Sequence, residues 1–263
     1  DELFYFGHNL VEKHSHLSES WFAVGSYYCT IENYTNAEKY FKKAVGMDEG
    51  FLDAWLALGH VLSYKDDSEQ ALQAYRSAHR LFPGEHKCVL CIGMEYAKTN
   101  NLLLAEKFVL QARDMCDSSD ALVHNELGVI KFKLHQFSES LHHFLYALSL
   151  KPSTQITTPE QWSSIHYNIG HCYRKLQCYS EAVHHYTEAL ALRPNDGAIY
   201  CSIGFTHHLN GNLNKAIEYY HHSLGQQFED QNFAAELLSK ALKAMSEMHI
   251  DELVPVEAFD NDS

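Results

Sequence analysis

Six glycines constrain this chain more than any other feature. Gly25, Gly59, Gly93, Gly128, Gly170 and Gly204 follow one another at 34, 34, 35, 42 and 34 residues. An aliphatic residue precedes each: Val24, Leu58, Ile92, Leu127, Ile169 and Ile203. Twelve residues after each glycine stands Ala37, Ala71, Ala105, Ser140, Ala182 or Ala216. Sixteen after stands Phe41, Tyr75, Val109, Phe144, Tyr186 or Tyr220, and nineteen after stands Ala44, Ala78, Ala112, Ala147, Ala189 or Ser223. A pattern kept through six windows requires one structural unit repeated in tandem.

Apolar spacing sets the content of that unit. Trp55, Leu58, Gly59 and Leu62 recur at i, i+3, i+4 and i+7, the period of an amphipathic helix. Ala71, Tyr75 and Ala78 keep helical spacing in the second half, and Lys65 to Ser68 supply a polar turn between the halves. Glycine and alanine let paired helices approach closely while the aromatic at sixteen fills the space beside them. Pro83, Pro152 and Pro194 fall near unit ends, where a residue unable to continue a helix is suited. The unit resembles the tetratricopeptide repeat (TPR), W-x2-L-G-x2-Y, then A-x3-F, then P, through Trp55, Leu58, Gly59, Ala71, Tyr75, Ala78 and Pro83. Lys131 and His207 depart from the usual aromatic, and His124 and His166 replace the tryptophan. The implied fold is all-α, a right-handed superhelix of about six helix-turn-helix repeats closed by a capping helix.

The expected boundaries follow. Residues 1–17 read as the second helix of a repeat whose first helix lies upstream. Repeats occupy 18–51, 52–85, 86–119, 121–154, 163–196 and 197–230, with a loop at Ser153 to Gln161. Residues 231–250 form the cap, and 251–263, acidic and without Lys or Arg, a disordered tail. The opening at Asp1 without a methionine suggests a fragment of a longer protein.

Composition narrows the function. With 34 Asp and Glu against 20 Lys and Arg, the net charge is −14, which argues against nucleic acid and anionic lipid as main partners. The seven cysteines form no framework and read as reduced thiols. His171, Cys172, Cys178, His184 and His185 crowd one stretch, but the repeat spreads them over two helices and a turn, so no tetrahedral zinc site is expected. Cys88 and Cys91 have CxxC spacing inside a helix with no second pair, and read as structural thiols. No phosphate loop, GxSxG, HExxH or kinase set occurs, so no catalytic residue and no cofactor is expected. What such a chain offers is a concave groove for an extended peptide or helix.

The groove stripe stands three before, one after and four after each glycine. The residues expected to hold a peptide are Phe22, Leu56, His60, Leu90, Met94, Asn125, Phe132, Tyr167, His171 and Phe205, with Asn168 at the edge. The competing reading of each is packing against a neighbouring repeat. Asn125 and Asn168 carry the amides suited to a peptide backbone. Co-chaperones of this repeat class grip acidic tails with lysine, arginine and asparagine on the stripe. That clamp is absent here, which favours an apolar or mixed peptide.

Several runs exceed what the repeat demands: SWFAVGSYY (20–28), IGMEYAKTNNLLLAEKF (92–108), the stretch 168–194 and YCSIGFTHHLNGNLNKAIEYYHHSLG (200–225). Glu95 with Thr99 to Asn101, and His171 with Arg174 and Lys175, carry the likeness. They resemble the C-terminal repeats of the Cdc16/Cut9 TPR family of the anaphase-promoting complex. The resemblance implies a non-catalytic scaffold in a ubiquitin ligase acting in the cell cycle, in nucleus and cytoplasm. It further implies a groove around the N-terminal segment of a small accessory subunit, other TPR subunits as partners, and a homodimer through repeats upstream of this chain. Two other readings compete: an adaptor or co-chaperone of another assembly, and a repeat segment leading a catalytic domain.

Overall fold

The computed structural model describes residues 2–150, 159–226, 228 and 230–253, and among them every regular element is an α-helix. The chain divides into two compact units, Asp1–His135 and Gln136–Ser263. The first contains α1 (Glu2–His14), α2 (Ser18–Thr30), α3 (Tyr34–Met47), α4 (Leu52–Tyr64), α5 (Ser68–Leu81), α6 (His86–Lys98), α7 (Leu102–Met115) and α8 (Ala121–Lys133). The second contains α9 (Phe137–Ser149), α10 (Pro159–Lys175), α11 (Tyr179–Leu192), α12 (Gly197–Leu209), α13 (Leu213–Leu224) and α14 (Gln231–Leu253). Within each unit consecutive helices pack as hairpins, α2 with α3, α4 with α5 and α6 with α7 in the first, α10 with α11 and α12 with α13 in the second.

The core sits where the spacing requires. All eighteen side chains at twelve, sixteen and nineteen residues after the glycines are at most 2% exposed. Where serine replaces alanine, its hydroxyl finds a partner. Ser223 Oγ donates to the Gly197 carbonyl at 2.8 Å, and Ser140 Oγ pairs with the Cys172 thiol at 3.2 Å. A buried hydroxyl without such a bond would cost about 1–3 kcal/mol.

One backbone feature recurs beyond the side chains. The residue seven after each glycine, Glu32, Asp66, Asn100, His135, Gln177 or Gly211, is left-handed, with φ between 57° and 78°. It ends the first helix and lets the next residue start the second. Asn33 and Asp67 accept from the backbone N–H three residues on, at 3.2 and 3.1 Å. Only Gly211 adopts that conformation without strain. Gln177→Gly is therefore expected to stabilise the protein by up to about 1 kcal/mol, read as a raised urea midpoint with unchanged slope. A lowered midpoint would show that Gln177 carries a contact worth more than its strain.

Two boundaries differ from expectation. Helix α10 begins at Pro159, so the last three residues expected in the loop are helical. Proline suits a first helical position because its missing N–H has no acceptor there. Helix α14 runs to Leu253, three residues past the expected cap. Residues 151–158 and 254–263, covering the rest of the loop and most of the expected tail, lie outside the described residues. No helix of the described residues is long and apolar enough to cross a membrane.

Candidate peptide-binding groove

In the first unit the stripe separates into packed and accessible members. Leu56 and Leu90 are core side chains, 9% and 1% exposed, with little surface to offer a peptide. Phe22 is half-buried against Phe41 and Phe51, ring centroids 5.4 and 5.0 Å away. Met94, Asn125 and Phe132 are half-buried, and Asn125 Nδ2 donates to Glu126 Oε1 at 3.0 Å. His60 is exposed at the surface, with its Nδ1 on the Tyr75 hydroxyl at 2.9 Å and its ring edge to face with Tyr75. Burial holds its imidazole below the usual range, partly offset by the Glu95 carboxylate.

The second unit gathers its stripe into one polar-aromatic network. The Tyr167 and His171 rings lie 4.3 Å apart, edge to face, and the Tyr167 hydroxyl pairs with Ser202 Oγ at 3.0 Å. His171 Nδ1 accepts from the Tyr186 hydroxyl at 2.7 Å and from Arg174 Nη2 at 3.3 Å, which places the ring proton on Nε2. Burial, with Arg174 and Lys175 alongside, pushes His171 down to about 3, so it is a neutral acceptor. The Arg174 guanidinium lies over Phe205, 5.1 Å from its centroid. Asn168 is half-buried on the same helix.

The histidines obey a rule that spacing alone did not reveal. Three repeats carry tyrosine sixteen residues after the glycine, and each hydroxyl meets an imidazole. Tyr75 pairs with His60 at 2.9 Å, Tyr186 with His171 at 2.7 Å and Tyr220 with His208 at 3.4 Å. Where that position is Phe41, Val109 or Phe144, no histidine stands one or four residues after the glycine. A buried phenol needs a partner, and the groove-side imidazole supplies it. Tyrosine rather than phenylalanine at that position was the signal. His185 and His166 form a separate pair, Nδ1 to Nδ1 3.2 Å, with Tyr173 stacked on His185.

The thiols follow the same packing logic. All seven cysteines are free, and Cys88 and Cys91 lie inside α6. Burial pushes Cys88, Cys91, Cys172 and Cys201 up to about 11, 12, 11 and 11, far from the thiolate that redox or metal chemistry needs. Among the described residues no three His, Cys, Asp or Glu side chains are grouped to hold a metal ion.

Stacked hairpins with a lined inner face define a class, the TPR scaffold, which binds partners and is not catalytic. Tetratricopeptide repeat family models match residues 18–51, 52–84, 163–196 and 197–229. Anaphase-promoting complex subunit 6 of Arabidopsis thaliana is 39% identical, over 97% of this chain and 46% of its own length. The cell division cycle protein 16 homolog of Homo sapiens is 35% identical, over 92% of this chain and 39% of its own. A chain in the crystal structure of the APC/C hetero-tetramer Cut9–Hcn1 superposes with a TM-score of 0.83 at 32% identity, covering 92% of this chain and 46% of that one. The chain belongs to the tetratricopeptide-repeat family and, by these relatives, to its Cdc16/Cut9 branch. It spans less than half the length of each of them.

Proposed function

We propose that the chain is part of a scaffold subunit of the anaphase-promoting complex, a ubiquitin ligase of the cell cycle. In this reading the groove stripes of its units hold the extended N-terminal segment of a small accessory subunit. The observation that carries it is the likeness to a Cut9 chain solved together with Hcn1, joined to the half-buried stripe residues Met94 and Phe132 of the first unit and, separately, Tyr167, His171 and Phe205 of the second. Half-buried apolar side chains beside imidazoles and amides suit a peptide that offers both side chains and backbone. Asn125 and Asn168 would take backbone groups. Other TPR subunits and a homodimer through repeats outside this chain complete the set of partners, in nucleus and cytoplasm.

The test is affinity purification of the full-length protein with Met94→Ala and Phe132→Ala combined. Retention of the small subunit is expected to fall about tenfold or more while the large TPR subunits co-purify as before. Unchanged retention by a variant with wild-type circular dichroism would overturn the groove assignment. Recovery of chaperones in place of cyclosome subunits would favour the adaptor reading.

A further inference from the structure

The first unit fastens its repeats together by bonds that hairpin packing does not require. The residue five after the glycine is the last of its helix, Tyr64 in α4, Lys98 in α6 and Lys133 in α8. Each reaches back to the repeat before it. Tyr64 stacks on Tyr34, ring centroids 5.3 Å apart and planes 12° from parallel. Lys98 Nζ donates to the carbonyl of Ser63, the penultimate residue of α4, and meets the Asp66 carboxylate at 2.8 Å. Lys133 Nζ donates at 2.9 Å to the carbonyl of Ala97, the penultimate residue of α6. Two successive junctions carry the same bond in the same register.

That register has a physical reason. Carbonyls in the last turn of a helix lack intrahelical partners and carry the negative end of its dipole. Here the C-terminal ends of α4 and α6, and of α6 and α8, come together, and an ammonium between them offsets two like partial charges. The Ser63 and Ala97 carbonyls already accept from Asp66 N–H at 3.0 Å and Asn100 N–H at 3.3 Å, so each lysine takes the second lone pair.

The bonds join helices of different hairpins. Buried aromatics hold α4 to α5, but direct contact between α4 and α6, or between α6 and α8, is sparse. These three helices carry His60, Met94 and Phe132 of the groove stripe, and Ser63 and Ala97 stand at its third position, four after the glycine. A single bond between sparsely packed helices therefore bears on how far apart the stripe residues stand.

We infer that Lys98 and Lys133 are positioning residues for peptide capture, setting the spacing of α4, α6 and α8 so that Met94 and Phe132 meet one segment together. The inference rests on the groove reading above and gives neither ammonium a contact with the segment. Both lysines are exposed, and exposed ionic contacts add little to overall stability. Their loss is therefore expected in affinity and not in folding.

The test uses the full-length protein with Lys98→Met and Lys133→Met combined, which keeps an unbranched stem and removes the charge. Retention of the small subunit is expected to fall about threefold or more while circular dichroism stays that of wild type. Lys98→Arg with Lys133→Arg should restore retention, since a guanidinium also donates to a carbonyl. In a protein that already carries Met94→Ala and Phe132→Ala, the methionine pair should lower retention no further, because the side chains being positioned are gone. Losses that add would show the lysines binding the segment themselves and overturn the inference. Unchanged retention with the methionine pair, where the alanine pair loses it, overturns the positioning role and leaves the groove standing. Retention indifferent to both pairs overturns the groove reading and the positioning role with it. Loss of helical signal in the methionine variant would assign the lysines to folding and sink the inference.

Discussion

Gly59→Leu is expected to destabilise the protein by about 2–4 kcal/mol, through overpacking inside one hairpin. A side chain built on Gly59 would start inside the Tyr75 ring, clashing with Cδ1, Cε1 and Cζ. Tyr75 is 2% exposed and cannot swing out, because its hydroxyl is held by His60 at 2.9 Å. The ring and the glycine are therefore one packing device, and the helices must separate to admit any side chain. Gly170 makes the same contact with Tyr186, its added Cβ 2.6 Å from the ring, so Gly170→Leu should cost a similar amount. Gly46 has nothing within 4 Å and serves as the control, with Gly46→Ala within about 0.5 kcal/mol of wild type. Chemical denaturation of the three variants, compared at equal slope, reads the difference. A loss below about 0.5 kcal/mol for Gly59→Leu would mean that α4 and α5 are not held together by this contact.

The same glycines explain why so much of the architecture was legible. A close helix–helix approach leaves a record in sequence, since only small residues fit at one side and only a large ring fits opposite. Gly59 with Tyr75 and Gly170 with Tyr186 recur at a fixed offset, and the all-α fold and the TPR likeness follow from that offset. Polar partnerships left a fainter record. That Tyr186 rather than phenylalanine calls for His171 became visible only when rings and imidazoles were placed together. The left-handed residue of each turn was hidden because Glu32, Asp66 and Gln177 are not glycines, so the backbone takes a strained conformation that residue type did not signal. The start of α10 was missed because Pro159 follows a polar stretch that reads as loop until its role as a first helical residue is recognised.

The groove was legible as a stripe and not as a set of contacts. Periodicity places Leu90 and Met94 on the same face, but depth decides their fate. Leu90 sinks into the core beside Val89 and Val109, while Met94 stays half-buried at the surface. Glu95 shows the reverse case. Its place in the period is apolar, and its charge is an exception that packing alone does not explain. Local rules that fail at one position while holding in neighbouring repeats are where function is expected.

The largest effect of solution conditions is expected in mild acid. His171 is pushed down to about 3 by burial and by Arg174 and Lys175, and His185 down to about 4 by burial and by His166 and His184. Both imidazoles are therefore neutral in the folded protein, while in the unfolded chain they take up protons near the ordinary value of 6.5. The unfolded state binds more protons below that value, so stability falls as pH falls. The contribution is fully present above about 6.5, declines below it, and is exhausted for His185 near 4 and for His171 near 3. Full linkage would set a ceiling of roughly 3 kcal/mol for His171 at about pH 4, at 1.36 kcal/mol per pH unit. Solvent reaching the groove screens part of this, leaving about 1–2 kcal/mol. Protonated, His171 would also lose its role as acceptor for Tyr186 and stand beside the Arg174 guanidinium as a like charge. Carboxylates titrate in the same range, so the comparison must be with His171→Gln, which keeps an acceptor for the tyrosine and cannot ionise. Between about pH 7 and about pH 4, urea titration should show wild type losing about 1–2 kcal/mol more than this variant. Parallel losses in the two proteins would mean that His171 is hydrated and ordinary, and that the network around Tyr186 does not depend on a neutral imidazole.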